Sequence, residues 1–114
     1  MAINVTVREV SPAMVVDVSG QITLGEGSAL LRKTVRELLE GGHRKILLNL
    51  GDVNYIDSAG IGELVSGYST AKRQSGELKL LNLSKRVRDL LQLTKLYTVF
   101  DVHTDEHAAV VSFR

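Results

Sequence analysis

Residues 46–62, ILLNLGDVNYIDSAGIG, take the chain from a predicted buried strand into a predicted helix. The first five of them are almost continuously apolar, which is typical of a strand covered on both faces. Apolar residues then recur at helical spacing, at Ile61, Leu64, Val65, Tyr68 and Ala71. Ser58 is therefore predicted to lie where the strand ends and the helix begins, beside the positive end of the helix dipole. A phosphate at that position could be tolerated by the fold and detected by a docked partner.

An antiparallel hairpin is predicted at the N-terminus. Apolar and polar residues alternate over 3–9, and residues 13–19 form a second strand that Gly20 closes. Ser11-Pro12 supplies the turn, and so short a connection joins antiparallel strands. The same alternation argues against a signal peptide.

A loop and then an amphipathic helix are predicted after the hairpin. Residues 20–28 lack periodicity, and Ser28 is a predicted N-cap because its side-chain oxygen suits the free N–H groups of a first helical turn. Apolar residues follow on one helical face, at Leu31, Val35, Leu38 and Leu39. Gly41-Gly42 ends this helix.

Strands and helices continue to alternate in the second half of the chain. The helix after Ser58 is predicted to run to about residue 74. The later predicted elements are a strand over 77–83, a helix from Ser84, a strand over 97–102 and a short helix over 105–113. The order β-β-α-β-α-β-α-β-α predicts one α/β domain over 1–114, with helices packed against a mixed, mostly parallel sheet that carries the antiparallel hairpin.

Composition excludes several classes of protein. The 114 residues include no cysteine, so we expect no disulfide framework, thiol nucleophile or thiolate metal site. A net charge of +1 and 4% aromatic residues disfavour nucleic-acid binding. No stretch approaches the roughly 20 apolar residues of a membrane span. We expect a cytoplasmic protein without a membrane partner or a cofactor.

Catalysis and metal binding have little support in the sequence. A nucleophile elbow requires glycine two residues before the serine, where this chain has Ile56. The candidate bases are only His43, His103 and His107, and the last two lack an evident third metal ligand. Gly25-Glu26-Gly27 lacks the lysine of a phosphate-binding loop. We therefore predict that the protein is not an enzyme.

From the local pattern alone, the junction has two interpretations. Asp57 or Ser58 suits an N-cap, a common structural role that contributes about 1 kcal/mol. Gly60 and Gly62 each weaken a helix by roughly 1 kcal/mol relative to alanine. Two such glycines indicate close approach by the adjacent sheet or by another protein. Composition does not decide whether this junction is only a helix cap or also a contact site for another protein.

Several stretches in register resemble the STAS domains of anti-sigma factor antagonists. The Asp-Ser-x-Gly core at this place in the element order is the most specific of them. The matching stretches are Val18–Ile22, Leu48–Leu50 with Val53, Ile56–Gly62, Gly76–Leu80 and Val87–Leu91. The resemblance covers nearly the whole chain and implies a STAS fold.

The resemblance also implies a partner switch. In this family the unphosphorylated antagonist binds an anti-sigma factor, which is also a serine kinase, and thereby frees a sigma factor. The kinase phosphorylates the serine that matches Ser58, and a PP2C-type phosphatase removes the phosphate. The partner-binding residues implied for this chain are Thr23, Leu24, Gly25, Asp57, Ser58, Ala59, Gly60, Ile61 and Gly62.

Two departures from the family pattern concern the partner. Many members carry a second hydroxyl where this chain has Ala59, and the loop 23–27 lacks the commoner aspartate and small polar residues. Two alternatives stay open: a non-switching STAS subunit of a stress-signalling scaffold or transporter-associated complex, and a small-molecule sensor. The predicted third helix carries a basic cluster, which consists of Lys85, Arg86 and Arg88. Such a cluster is typical either of a solvent-exposed face or of a surface that binds an acidic partner.

Overall fold

The computed structural model describes residues 3–113. Its strands are β1 (Ile3–Val10), β2 (Ala13–Ile22), β3 (Lys45–Ile56), β4 (Glu77–Leu81) and β5 (Val102–His103). Its helices are α1 (Glu26–Glu40), α2 (Ser58–Arg73), α3 (Lys85–Leu93) and α4 (Glu106–Val111), with a short 3-10 helix at Leu96–Thr98.

The strands of residues 3–113 form one sheet in the order β1-β2-β3-β4-β5. β1 pairs antiparallel with β2, and every other neighbouring pair is parallel. The predicted α/β fold, with a mostly parallel sheet and an antiparallel N-terminal hairpin, is confirmed. β3 occupies the centre, so the site that follows it lies at the carboxyl edge of the sheet.

Both faces of the sheet carry apolar cores. The larger core joins one face to α1, α2 and α3, which contribute Leu31, Leu64 and Val87. The smaller core lies on the opposite face under α4 and the following Phe113. β3 supplies Leu47 to the smaller core and its neighbours Ile46 and Leu48 to the larger one, which explains its nearly continuous apolar run. None of the helices in residues 3–113 is long and apolar enough to cross a lipid bilayer.

The predicted N-cap at Ser28 is wrong. α1 begins at Glu26, and Gly25 occupies the N-cap position with φ 97°, a conformation that suits glycine. Ser28 is buried inside the first turn, where its hydroxyl donates to the Thr23 carbonyl at 2.8 Å. The predicted loop 20–28 is also shorter, because β2 continues to Ile22 in register with the end of β3.

The predicted strand over 97–102 is largely wrong. Lys95 adopts a left-handed φ of 62°, and a 3-10 helix follows at Leu96–Thr98. Phe100 then turns into the core, where its ring lies edge-on to Tyr68 with centroids 5.6 Å apart. Only Val102–His103 pairs with the sheet. The aromatic and β-branched residues of this segment therefore serve packing more than strand pairing.

Other predicted boundaries differ by a few residues. The helix predicted from Ser84 is α3, and Ser84 is its N-cap, whose side chain accepts a hydrogen bond from the Val87 N–H at 3.3 Å. β4 ends before the predicted residue 83, since Asn82 takes a left-handed φ of 57°. α4 occupies part of the predicted closing helix, with Asp105 as its cap.

Candidate functional site

Ser58 is the first residue of α2 and follows the central strand after one connecting residue, Asp57. Its side chain is exposed at the N-terminal end of the helix. Asp57 has the extended backbone of an N-cap (φ −106°, ψ −174°). The predicted strand-to-helix junction is confirmed, and Asp57 rather than Ser58 is the capping residue.

The Asp57 carboxylate joins two segments of the chain. Oδ1 accepts a hydrogen bond from the Gly60 N–H at 2.9 Å and so caps α2. Oδ2 accepts one from the Leu24 N–H at 3.0 Å, in the loop between β2 and α1. The Gly60 N–H and then the Leu24 N–H hold the pKa of Asp57 below its ordinary value, because they stabilise the charged carboxylate. Asp57 therefore stays ionised at neutral pH and holds the loop against the helix.

Gly60 and Gly62 have different environments. A Cβ at position 60 would lie 2.3 Å from the Ile22 carbonyl oxygen and 2.6 Å from Cγ1 of Ile56. A Cβ at position 62 would meet nothing within 4 Å. The close approach expected from the two glycines is therefore real at Gly60, and the approaching surface is the sheet of the same chain.

Hydrogen bonds hold the backbone of the loop beside the start of α2. The Thr23 carbonyl accepts hydrogen bonds from both the backbone and the hydroxyl of Ser28, at 2.9 and 2.8 Å. The Gly25 carbonyl accepts from the Ala29 N–H at 2.9 Å. Leu24, between them, leaves 80% of its surface exposed. The loop thus presents a leucine to solvent next to the start of α2.

The nine predicted partner-binding residues divide by exposure. Gly60 and Ile61 are buried, and Ile61 leaves only 6% of its surface exposed. The other seven lie at least partly at the surface: Thr23, Leu24, Gly25, Asp57, Ser58, Ala59 and Gly62. The structure therefore brings the two predicted segments together, while Gly60 and Ile61 support the site from below.

A cation–π contact near the end of β3 was not predicted from the sequence. The Arg86 guanidinium lies 4.7 Å from the centre of the Tyr55 ring, a cation–π distance. Lys85, in the same basic cluster, pairs with Asp89 at 2.7 Å. The spacing of the sequence gives no signal for the Tyr55 contact, because the two positions meet only through the packing of α3 beside β3.

His103 and His107 occupy separate elements. His103 lies in β5 with Nε2 3.1 Å from Oδ2 of Asp101, and His107 lies in α4. Within residues 3–113, no group of three histidine, cysteine or acidic side chains could hold a metal ion.

A groove lies between α1 and α2. Its volume is about 200 Å³, below the roughly 300–1,000 Å³ usual for small-molecule sites. Arg32 and Glu63, both in its lining, form an ion pair at 3.0 Å. The groove gives little support to a small-molecule sensor.

Known proteins share both the fold and the sequence pattern. Residues 4–109 match the STAS domain family. The anti-sigma-B factor antagonist of Bacillus subtilis (strain 168) is 34% identical over 110 residues, which are 96% of this chain and 99% of that protein. A Thermotoga maritima protein has 25% identity and a TM-score of 0.87, over 96% of this chain and 94% of that one. SpoIIAA, a Bacillus cell fate determinant solved in its phosphorylated form, has 19% identity and a TM-score of 0.75, over 97% and 100% of the two chains.

Proposed function

Because the chain belongs to the STAS domain family, we propose that it is an anti-sigma factor antagonist that works as a partner switch. Unphosphorylated, it binds an anti-sigma factor that is also a serine kinase, and a sigma factor is released. The kinase phosphorylates Ser58 and ends the interaction, and a PP2C-type phosphatase restores it. The observation that carries the proposal is the exposed Ser58 at the start of α2, beside the loop 23–25, in which Leu24 and Gly25 are exposed.

The fold should survive phosphorylation. Ser58 is exposed, and the capping hydrogen bond of α2 is made by Asp57 and not by Ser58. A phosphate on Ser58 therefore breaks no capping hydrogen bond. A negative group at a helix N-terminus gains about 0.3–1 kcal/mol from the helix dipole. Asp57 already carries a negative charge there, which reduces this gain. We therefore expect phosphorylation to change the surface charge around Ser58 more than the free energy of unfolding.

A bound partner should respond strongly to the same phosphate. Phosphorylation adds nearly two negative charges next to the ionised Asp57, inside an interface that excludes water. Burying unpaired charge is costly, whereas a serine hydroxyl can find a local hydrogen bond. Changing a complex from mostly formed to mostly broken needs about 5.5 kcal/mol. Charge repulsion and desolvation together can supply this difference without a change of fold.

Ser58 is the expected acceptor because of its neighbours. Ala59 stands where many family members have a second hydroxyl, so Ser58 is the one hydroxyl within 56–62. The proposed role is regulatory binding in the cytoplasm, with neither an enzymatic activity nor a cofactor of its own. The alternative, a non-switching STAS subunit, differs in that Ser58 would stay unmodified.

Intact-mass measurement on protein from the source organism separates these two roles. We expect a population about 80 Da heavier, the mass added by one phosphoryl group, in the wild type and not in Ser58→Ala. Ser66→Ala is the matched control, because Ser66 is another exposed serine of α2; it should keep the heavier population. Absence of that population from the wild type under all growth conditions would contradict the switch and favour the scaffold subunit.

A further inference from the structure

Leu24 and Leu93 are the two most exposed leucines of residues 3–113, at 80% and 79%. A single exposed leucine needs no explanation by itself. Leu93, however, lies at the end of α3, whereas Leu24 lies in a loop whose Leu24 N–H donates to Asp57, the N-cap of α2. Leu24 is therefore an exposed apolar residue whose backbone is held in a defined place beside Asp57, the residue before Ser58.

The backbone around Leu24 is ordered before any partner binds. Its N–H donates to Asp57, and the carbonyls on either side accept hydrogen bonds from the first turn of α1. A Cβ on Gly27 would lie 2.7 Å from the Gln21 carbonyl, so that turn sits directly against the end of β2. A preordered backbone loses less conformational freedom on binding, which favours affinity.

We infer that Leu24 is the apolar anchor of the partner-binding surface and that Asp57 is the residue that positions it. The inference rests on the proposed function, in which Ser58 meets the anti-sigma factor kinase. Residues that dominate binding energy insert into well-packed, desolvated pockets near the centre of an interface. Leu24 and Ser58 are linked through Asp57, so a kinase that reaches the Ser58 hydroxyl also covers Leu24.

The apolar side chain of Leu24 indicates which kind of kinase surface fits this loop. The partner presents an apolar pocket beside the groove that receives Ser58. A kinase with a charged group at that place would leave the group buried against leucine without a hydrogen bond, which opposes binding. Both Asp57 oxygens already accept hydrogen bonds from backbone N–H groups. Recognition of Leu24 itself therefore depends on shape and apolar burial, while each Asp57 oxygen keeps a lone pair that a donor of the kinase can use.

A double-mutant cycle tests whether Asp57 acts through Leu24. Asp57→Asn keeps an oxygen that can cap α2, but its NH₂ group cannot accept the Leu24 N–H. The probe is the purified anti-sigma factor kinase of the source organism with ADP, titrated by calorimetry. We expect Leu24→Ala to weaken binding at least about tenfold. Asp57→Asn should weaken it severalfold in the wild-type background and hardly further in Leu24→Ala, because coupled residues are non-additive.

Leu93→Ala is the matched control, since it removes an equally exposed leucine elsewhere, and it should change affinity less than about twofold. Leu24→Ala binding like the wild type, or Leu93→Ala losing as much as Leu24→Ala, would overturn the anchor. Independent, multiplying effects of Leu24→Ala and Asp57→Asn would overturn the positioning role.

Amide hydrogen exchange tests the positioning without a partner. The Leu24 amide should exchange at least about tenfold faster in Asp57→Asn, while the Gly60 amide stays protected by the retained cap. Equal Leu24 exchange in both proteins would remove Asp57 from this role. A wild-type chain that fails to bind the kinase contradicts the proposed function instead, and the exchange result still decides the role of Asp57.

Discussion

Gly60→Ala is expected to destabilise the protein, although alanine is the better helix former. The new Cβ would lie 2.3 Å from the Ile22 carbonyl oxygen, 2.6 Å from Cγ1 of Ile56 and 3.0 Å from Cγ2 of Ile22. The first of these atoms is backbone of β2, so relief requires the helix and the sheet to separate. Overpacking of this kind costs up to about 3 kcal/mol, and helix propensity returns about 1 kcal/mol. The net loss in the free energy of unfolding is then up to about 2 kcal/mol.

Gly62→Ala is the matched control, because its Cβ would meet nothing within 4 Å. It should raise the free energy of unfolding by up to about 1 kcal/mol through helix propensity alone. Urea denaturation followed by circular dichroism measures both variants against the wild type, with similar m values expected. If Gly60→Ala proved as stable as Gly62→Ala, the close packing of α2 on the end of β2 would be wrong.

Two further predictions concern a helix cap and the response to acid. Ser84→Ala removes the cap of α3 and should lower the free energy of unfolding by about 1 kcal/mol. Ser58→Ala removes no cap and should change the free energy of unfolding by less than about 0.5 kcal/mol. Urea denaturation of both variants and the wild type measures the difference. Hydrogen bonds from Arg8 hold the pKa of Asp17 below its ordinary 3.8 and that of Glu106 below its ordinary 4.5. A lowered carboxyl pKa gives stability that is present above the ordinary value and is lost as pH falls through the folded-state value. The urea midpoint should therefore fall as pH drops below about 4.5, and Arg8→Ala should show a shallower fall; equal slopes would refute the role of Arg8.

Regular apolar patterns predicted most of the fold. β3 and α2 are long enough for their periodicities to be unambiguous, and the short Ser11-Pro12 connection dictated an antiparallel hairpin. The failures lie where tertiary contacts override local preference. Residues 97–102 have strand-like composition, yet Phe100 is needed in the core, and the backbone coils to bring it there.

The position of the site was predictable from the sequence, but its hydrogen bonds were not. The sequence predicted an exposed serine at a strand-to-helix junction and a cap at either Asp57 or Ser58. The hydrogen bond from Leu24 to Asp57 joins positions 33 apart, and no local pattern signals it. Ser28 was misassigned for a related reason: its hydroxyl bonds to Thr23 in the loop because α1 already begins at Glu26.

The central claim is that the phosphorylation state of Ser58 controls partner binding. The most direct measurement is the affinity of the source organism's anti-sigma factor kinase for two forms of the full chain, unmodified and carrying phosphoserine at position 58. We predict that the phosphorylated form binds about 10⁴-fold more weakly, which corresponds to about 5.5 kcal/mol, while its circular dichroism spectrum stays unchanged. Equal affinity for the two forms would contradict the account.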